Sequence, residues 1–137
     1  MSRYEQLVQE LRQTITPDDV VGAMLSQVTL PELPTDSLKI HGAIQRLRNE
    51  FPDLLSDFVF FQGNLYPFSD LLERVLFRLE SSSILGTVNP AYEIYNLTKE
   101  TKEELARRVF SRFSADQQAR LKELAGRFEA EVGGGLL

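Results

Sequence analysis

The stretch FSDLLERVLFRLESSSILG, residues 68–86, carries the clearest helix signal in the chain. The hydroxyl of Ser69 can accept a hydrogen bond from the free N–H groups at a helix start, so we expect a capped helix that runs to Ser82. Apolar residues then recur at three- and four-residue spacing, which places them on one buried face. That face comprises Leu71, Leu72, Val75, Leu76 and Leu79. The other predicted elements lie before and after this amphipathic helix in the chain.

Short extended segments are expected on both sides of this helix. Before it, FVFF and LYPF flank the turn-forming residues 62–64, and their aromatic side chains favour paired strands. After it, residues 84–88 and 92–97 flank a polar, proline-containing turn at 89–91, which predicts a second hairpin. The predicted fold class is therefore mainly α with small β-hairpins.

The N-terminal residues 1–28 are predicted to form an antiparallel helical pair. The first helix spans about residues 2–14. Thr16 can cap the second helix, because Pro17 suits the first helical position and Asp18 and Asp19 complement the positive end of the helix dipole. The buried face of the second helix would comprise Val20, Val21, Met24, Leu25 and Val28.

Residues 29–37 are predicted to be a linker or an extended arm, because Pro31 and Pro34 each remove a backbone donor. Asp36 or Ser37 would cap a third helix, which Pro52 bounds. The apolar stripe of this helix comprises Ile40, Ala43, Ile44, Leu47 and Phe51. One further turn is expected at residues 53–56.

A helical region is predicted at residues 99–132, and residues 133–137 are expected to be a flexible tail because three glycines oppose further helix. Thr98 or Thr101 would start this region. Ser114 and Gln117 repeat the spacing of a capping box, so one long helix and two helices bent near Ser114 both remain open.

Composition excludes several function classes. The chain has 137 residues, no cysteine and one histidine, so disulfides, thiolate zinc sites and thiol catalysis are excluded. Lys and Arg number 15 against 20 Asp and Glu, and this net charge of -5 disfavours general binding to nucleic acid or anionic membranes. No apolar run approaches the roughly 20 residues of a membrane span. These features favour a cytoplasmic protein.

The order of elements from residue 38 to 98 resembles a winged-helix domain. FSDLLERVLFRLESSSILG resembles the family pattern of a capped helix that leads into a small-residue corner and an apolar strand, and TVNPAYEIYNLT stands where the wing would be. The resemblance implies a winged-helix-like centre, with helical extensions at 1–28 and 99–132 and with residues 69–82 as the helix that usually enters the DNA major groove.

Two departures from the winged-helix pattern bear on DNA binding. The helix at residues 69–82, which would face DNA, carries three acidic and two basic residues, and the wing adds Glu93 and no Lys or Arg. This excess of negative charge would repel the phosphates of DNA. The short helix and turn that normally precede this helix are replaced by the aromatic segment. DNA is therefore a disfavoured partner.

Three candidate sites follow from residue patterns. A narrow apolar seam on the last helix would pack inside the chain or pair with a second copy as a homodimer: Leu121, Leu124, Phe128 and Val132. A basic group is the candidate nucleic-acid contact, with a solvated face of ion pairs as the alternative: Arg107, Arg108 and Arg112. An aromatic group is the candidate ligand pocket, with core filling as the alternative: Phe58, Phe60, Tyr66 and Phe68.

We expect a non-enzymatic protein-interaction or self-association module that serves a regulatory complex and whose partner is a second copy or another protein. A dimeric DNA-binding transcriptional regulator is the alternative. The sequence presents no catalytic, metal or cofactor motif. An enzyme that uses His41 with nearby carboxylates is the weakest hypothesis, because a partly buried histidine on a helix flank is the more common case.

Overall fold

The chain folds mainly into helices, as its patterns predict. A computed structural model describes residues 2–3, 15–34, 37–61, 68–81 and 94–133. Its elements are α1 (Pro17–Ser26), β1 (Glu32–Pro34), α2 (Ser37–Arg48), α3 (Pro52–Leu55), α4 (Asp70–Ser81), β2 (Ile94–Asn96), α5 (Lys99–Arg108) and α6 (Ala115–Gly133), with a 3-10 turn at Phe110–Arg112. The predicted helix at residues 2–14 falls outside the described residues except for Ser2 and Arg3, and the tail at 134–137 also falls outside them.

Side-chain caps fix where the helices begin. At α1 the Asp19 N–H donates to Thr16 Oγ1 at 3.2 Å, and the Thr16 N–H donates to Asp19 Oδ2 at 3.0 Å. This reciprocal box and Pro17 at the first position confirm the predicted start of α1. At α5 Thr98 Oγ1 accepts from the Thr101 N–H at 3.2 Å, so the region begins at Thr98 and not at Thr101.

A second reciprocal cap divides the C-terminal region. The Gln117 N–H donates to Ser114 Oγ at 3.2 Å, and the Ser114 N–H donates to Gln117 Oε1 at 3.0 Å. A new helix therefore starts after Ser114, and the 3-10 turn Phe110–Arg112 joins it to α5. Of the two alternatives left by the sequence, the structure has two helices.

A two-stranded antiparallel ribbon pairs β1 with β2, in the register Glu32↔Asn96, Leu33↔Tyr95 and Pro34↔Ile94. Of the linker and the extended arm predicted for residues 29–37, the described part is closer to the arm, because residues 32–34 supply a strand. Proline removes only one donor, so a short edge strand can still pair through its carbonyls. Residues 84–88, the predicted hairpin partner of 92–97, lie outside the described part of the chain.

In the described part of the first predicted hairpin, which leaves out residues 62–67, one bridge pairs Phe61 with Phe68. The Phe61 N–H donates to the Phe68 carbonyl at 2.8 Å, and the Phe68 N–H returns a bond to the Phe61 carbonyl at 3.2 Å. FVFF was predicted to be a short strand or an extended segment, and residues 58–60 do not form a strand. Phe58 is buried in the core and Phe60 packs partly buried against it, while Val59 between them is exposed.

The apolar seam of α6 lies inside the chain. Helix α6 packs against α2 and α1. The four seam residues expose at most 2% of their surface: Leu121, Leu124, Phe128 and Val132. Of the two alternatives predicted for this seam, the structure has intrachain packing and not a homodimer interface. The apolar stripe of α2 already covers these residues.

Arg120 on α6 contacts residues 50–53, which lie just before α3 and in its first turn. Its guanidinium donates to the Glu50 carbonyl at 2.8 Å and to Asp53 Oδ1 at 3.1 Å. It also lies 4.4 Å from the centroid of the Phe51 ring. The hydrogen bond from Arg120 holds the pKa of Asp53 below its ordinary value.

Leu124→Ala should lower the free energy of unfolding by about 2–5 kcal/mol, because it removes a fully buried side chain and leaves a cavity. Urea unfolding followed by circular dichroism measures the change, with the exposed Lys122→Ala as a control expected to stay within about 0.5 kcal/mol. The midpoint should not depend on protein concentration. A midpoint that rises with concentration would instead indicate a dimer seam.

The Asp53–Arg120 pair should contribute to acid sensitivity. Because the folded-state pKa of Asp53 is lowered, its contribution to stability is present above the unfolded pKa and is lost as pH falls through the folded value. The stability difference between the wild type and Asp53→Asn should therefore shrink between about pH 6 and about pH 3. Urea unfolding at both pH values tests this, and a constant difference would contradict it.

Candidate functional site

His41 on α2 connects that helix to the start of α4. The side chain is fully buried, and its Nδ1 accepts a hydrogen bond from the Ser69 backbone N–H at 3.1 Å. Because an amide N–H can only donate, Nδ1 carries no proton and Nε2 carries the ring hydrogen. Nε2 lies 2.9 Å from Oε2 of Glu73, to which it donates. Both ring nitrogens are therefore used to position α4.

Ser69 completes the start of α4. Its hydroxyl oxygen accepts from the Leu72 N–H at 3.2 Å, as the sequence predicts for a capping serine. The same residue is fully buried, so its backbone N–H needs a partner inside the protein, and His41 supplies it. The sequence gives no sign of this long-range bond, because residues 41 and 69 belong to separate helices.

Aromatic rings enclose the buried imidazole. The Phe68 ring stacks on His41 with centroids 4.7 Å apart and planes 8° apart, and the Phe60 ring meets it edge-on at 6.4 Å. Phe58 is fully buried. Phe60 and Phe68 contact the imidazole and Phe58 lies in the hydrophobic core, which agrees with the alternative that these candidate pocket aromatics fill the core. Tyr66 lies outside the described residues.

The outer side of α4 exposes an aromatic ring. Leu72, Val75, Leu76 and Leu79 are buried as predicted, while Leu71 is only half-buried. Phe77 lies on the opposite side and is 65% exposed. Sequence analysis did not select Phe77, although its position off the apolar stripe was a visible signal.

Phe61 adds a second exposed ring near this helix. Residues paired across an antiparallel bridge place their side chains on the same side, so the Phe61 ring neighbours Phe68. Phe61 is 58% exposed. A chain of contacts then leads from Phe68 to His41 and on to Glu73. Phe77 follows Glu73 by four residues, which places both on one helix face.

We name this surface the aromatic–acidic face and define it as Phe61, Asp70, Glu73 and Phe77. Asp70 and Glu73 are exposed, and neither forms an ion pair with Lys or Arg in the described part of the chain. Most acids in ion pairs elsewhere have an arginine partner: Asp18, Asp19, Glu50, Asp53, Glu104, Glu123 and Glu131. Among the described residues, these two carboxylates therefore carry negative charge that no Lys or Arg ion pair offsets.

The arginines predicted as candidate nucleic-acid contacts form ion pairs with acidic residues of the same chain. Arg107 and Arg108 both contact the carboxylate of Glu104, and Arg112 lies 3.3 Å from Oδ2 of Asp19. The hydrogen bond from Arg107, with the nearby charge of Arg108, lowers the pKa of Glu104. This arrangement matches the alternative of a solvated face of ion pairs.

The described residues contain no group of three or more His, Asp or Glu that could hold a metal ion. Within the same ranges, no helix is long and apolar enough to cross a membrane.

No protein-family model matches the chain, and neither a curated protein nor a solved structure is significantly similar to it. The function is therefore inferred from the geometry of the chain itself.

His41→Leu should lower the free energy of unfolding by about 1–3 kcal/mol, because it leaves the buried Ser69 N–H without an acceptor. Glu73→Gln should cost less than about 1 kcal/mol, because the side chain is half exposed and an amide oxygen can still accept from Nε2. Urea unfolding measures both. A stable His41→Leu variant would contradict the structural role of the imidazole.

Proposed function

We propose that the chain is a non-enzymatic protein-interaction module that binds a partner protein through the aromatic–acidic face. The observation that carries this proposal is Phe77, which exposes 65% of its surface on a helix whose opposite side belongs to the core. Aromatic anchors on a rigid element are the residues that commonly dominate protein–protein binding energy. The buried bonds of His41 and Ser69 hold α4 in place, so the face is preorganised.

A winged-helix-like centre at residues 38–98 is part of this proposal, with α4 as the presented helix. Its support is the position of β2, which follows α4 and pairs antiparallel with β1. The strand at 32–34 would then belong with this centre. The exposed acids Asp70 and Glu73 make a phosphate backbone an unfavourable partner for α4, whereas a protein surface can complement both the rings and the charges.

The geometry of His41 supports the absence of enzymatic activity in this proposal. A general base needs a ring nitrogen within reach of a substrate, whereas His41 is fully buried and both its nitrogens bind within the chain. The Ser69 hydroxyl oxygen accepts a hydrogen bond from the Leu72 N–H at the start of α4, which is a helix-capping role. The DNA-binding alternative has weaker support, since its candidate arginines are paired with Glu104 and Asp19.

A photocrosslinker at position 77 tests the proposal. The chain with p-benzoylphenylalanine in place of Phe77 would be expressed in its native host and irradiated. We expect protein adducts at position 77, because an exposed anchor ring lies within reach of a bound partner. Denaturing gels and mass spectrometry would detect them.

Position 119 provides the matched control for crosslinking, since Ala119 is exposed on α6, away from the aromatic–acidic face. Adducts at 77 and not at 119 would support the proposal. The same pattern at both positions, or no adduct at 77, would overturn it, and nuclease-sensitive adducts at 77 would favour DNA binding instead.

A further inference from the structure

We infer that the aromatic–acidic face binds an arginine-bearing segment of a partner protein, with the guanidinium seated between the Phe77 ring and the Glu73 carboxylate. This inference rests on the proposed function and names the chemistry of the partner. It follows from three features of the face: a positioned carboxylate, an adjacent exposed ring and acidic side chains that form no ion pair with Lys or Arg among the described residues.

The Glu73 carboxylate is positioned before any partner arrives. Its Oε2 accepts from Nε2 of the fully buried His41 at 2.9 Å, while the side chain remains 49% exposed. His41 is itself fixed by the Ser69 N–H and by the Phe68 ring. A carboxylate that is already oriented loses little conformational freedom on binding, which favours a charged hydrogen bond to a partner.

The neighbouring ring selects the type of cation. Phe77 follows Glu73 by one helical turn, and a cation bound to the carboxylate can lie over an exposed ring at that spacing. A guanidinium is planar and weakly hydrated, so it can stack on the ring while its N–H groups donate to the carboxylate. A lysine ammonium satisfies these two contacts less well. The face should therefore prefer arginine.

The chain contains an internal example of the same recognition. The Arg120 guanidinium lies 4.4 Å from the Phe51 ring centroid and donates to Asp53 Oδ1 at 3.1 Å. A ring and a nearby carboxylate together thus hold an arginine within this fold, with the Phe51 ring buried beneath it. On the aromatic–acidic face the ring and the carboxylate are present, and Glu73 forms no ion pair with Lys or Arg among the described residues.

Long-range charge favours the same partner. The chain has a net charge of -5, which attracts a basic segment and repels an acidic one before contact. Asp70 adds an exposed carboxylate to the Phe77 side of α4, where the exposed Arg74 lies one helical turn from Asp70. Arg78, the basic residue that follows Phe77, is directed towards Asp18 through bonds of 2.6 and 2.7 Å.

Fluorescence anisotropy with labelled nona-arginine and nona-lysine peptides, at moderate salt, tests the inference. We expect nona-arginine to bind about threefold or more tightly than nona-lysine. Glu73→Gln should weaken nona-arginine binding about fivefold or more, because the positioned charge is lost. Phe77→Leu should keep an apolar side chain yet reduce the preference for arginine over lysine.

Glu103→Gln is the matched control, since it makes the same change in net charge at an exposed site on α5. Equal losses in Glu73→Gln and Glu103→Gln would show binding by overall charge only and would overturn the inference. An unchanged arginine preference in Phe77→Leu would also overturn it. Circular dichroism of each variant confirms that the fold is retained.

Two further results separate this inference from the proposed function. Crosslinking at position 77 without any arginine preference would leave the protein-interaction module intact and reject the arginine-bearing partner. A self-associated wild type in sedimentation velocity that becomes monomeric in Glu73→Gln would identify the occupant as a second copy and reject a separate partner protein.

Discussion

The hydrogen bond from the Ser69 backbone to the His41 ring is the interaction on which the arrangement of the proposed binding surface depends. Both groups are fully buried, so water cannot replace either partner. Breaking the bond would leave a polar group in the core without a hydrogen-bond partner. The bond sets where α4 begins relative to α2, and the second ring nitrogen extends this control to the Glu73 side chain. One buried imidazole therefore links the order of the core to the arrangement of an exposed carboxylate.

Much of the fold could be predicted from local sequence patterns. The caps at Thr16, Ser69 and Ser114 each bond to a residue three positions along the chain. A local stretch of sequence therefore contains both partners, which makes such caps predictable. The apolar stripe of α6 also predicted burial, although the pattern alone could not distinguish a neighbouring helix from a second copy. That distinction depends on which surface is nearest in three dimensions.

The parts that could not be predicted depend on contacts between distant residues. The pairing of β1 with β2 joins segments far apart, and the two prolines predicted a linker or an extended arm without a partner strand. The role of His41 required knowing that Ser69 would be buried against it. Phe77 was overlooked for a different reason, since a helical pattern identifies a core by its stripe and assigns no function to an apolar residue outside it.

The β1–β2 ribbon has a consequence for how the chain reaches its native state. It joins Pro34 to Ile94, positions 60 residues apart, and the helices α2, α3 and α4 all lie within the loop that it closes. Closing so long a loop costs entropy that only contacts already made by those helices can offset. The helices should therefore assemble early. The three-residue strands should pair last, on a helical bundle that has already formed.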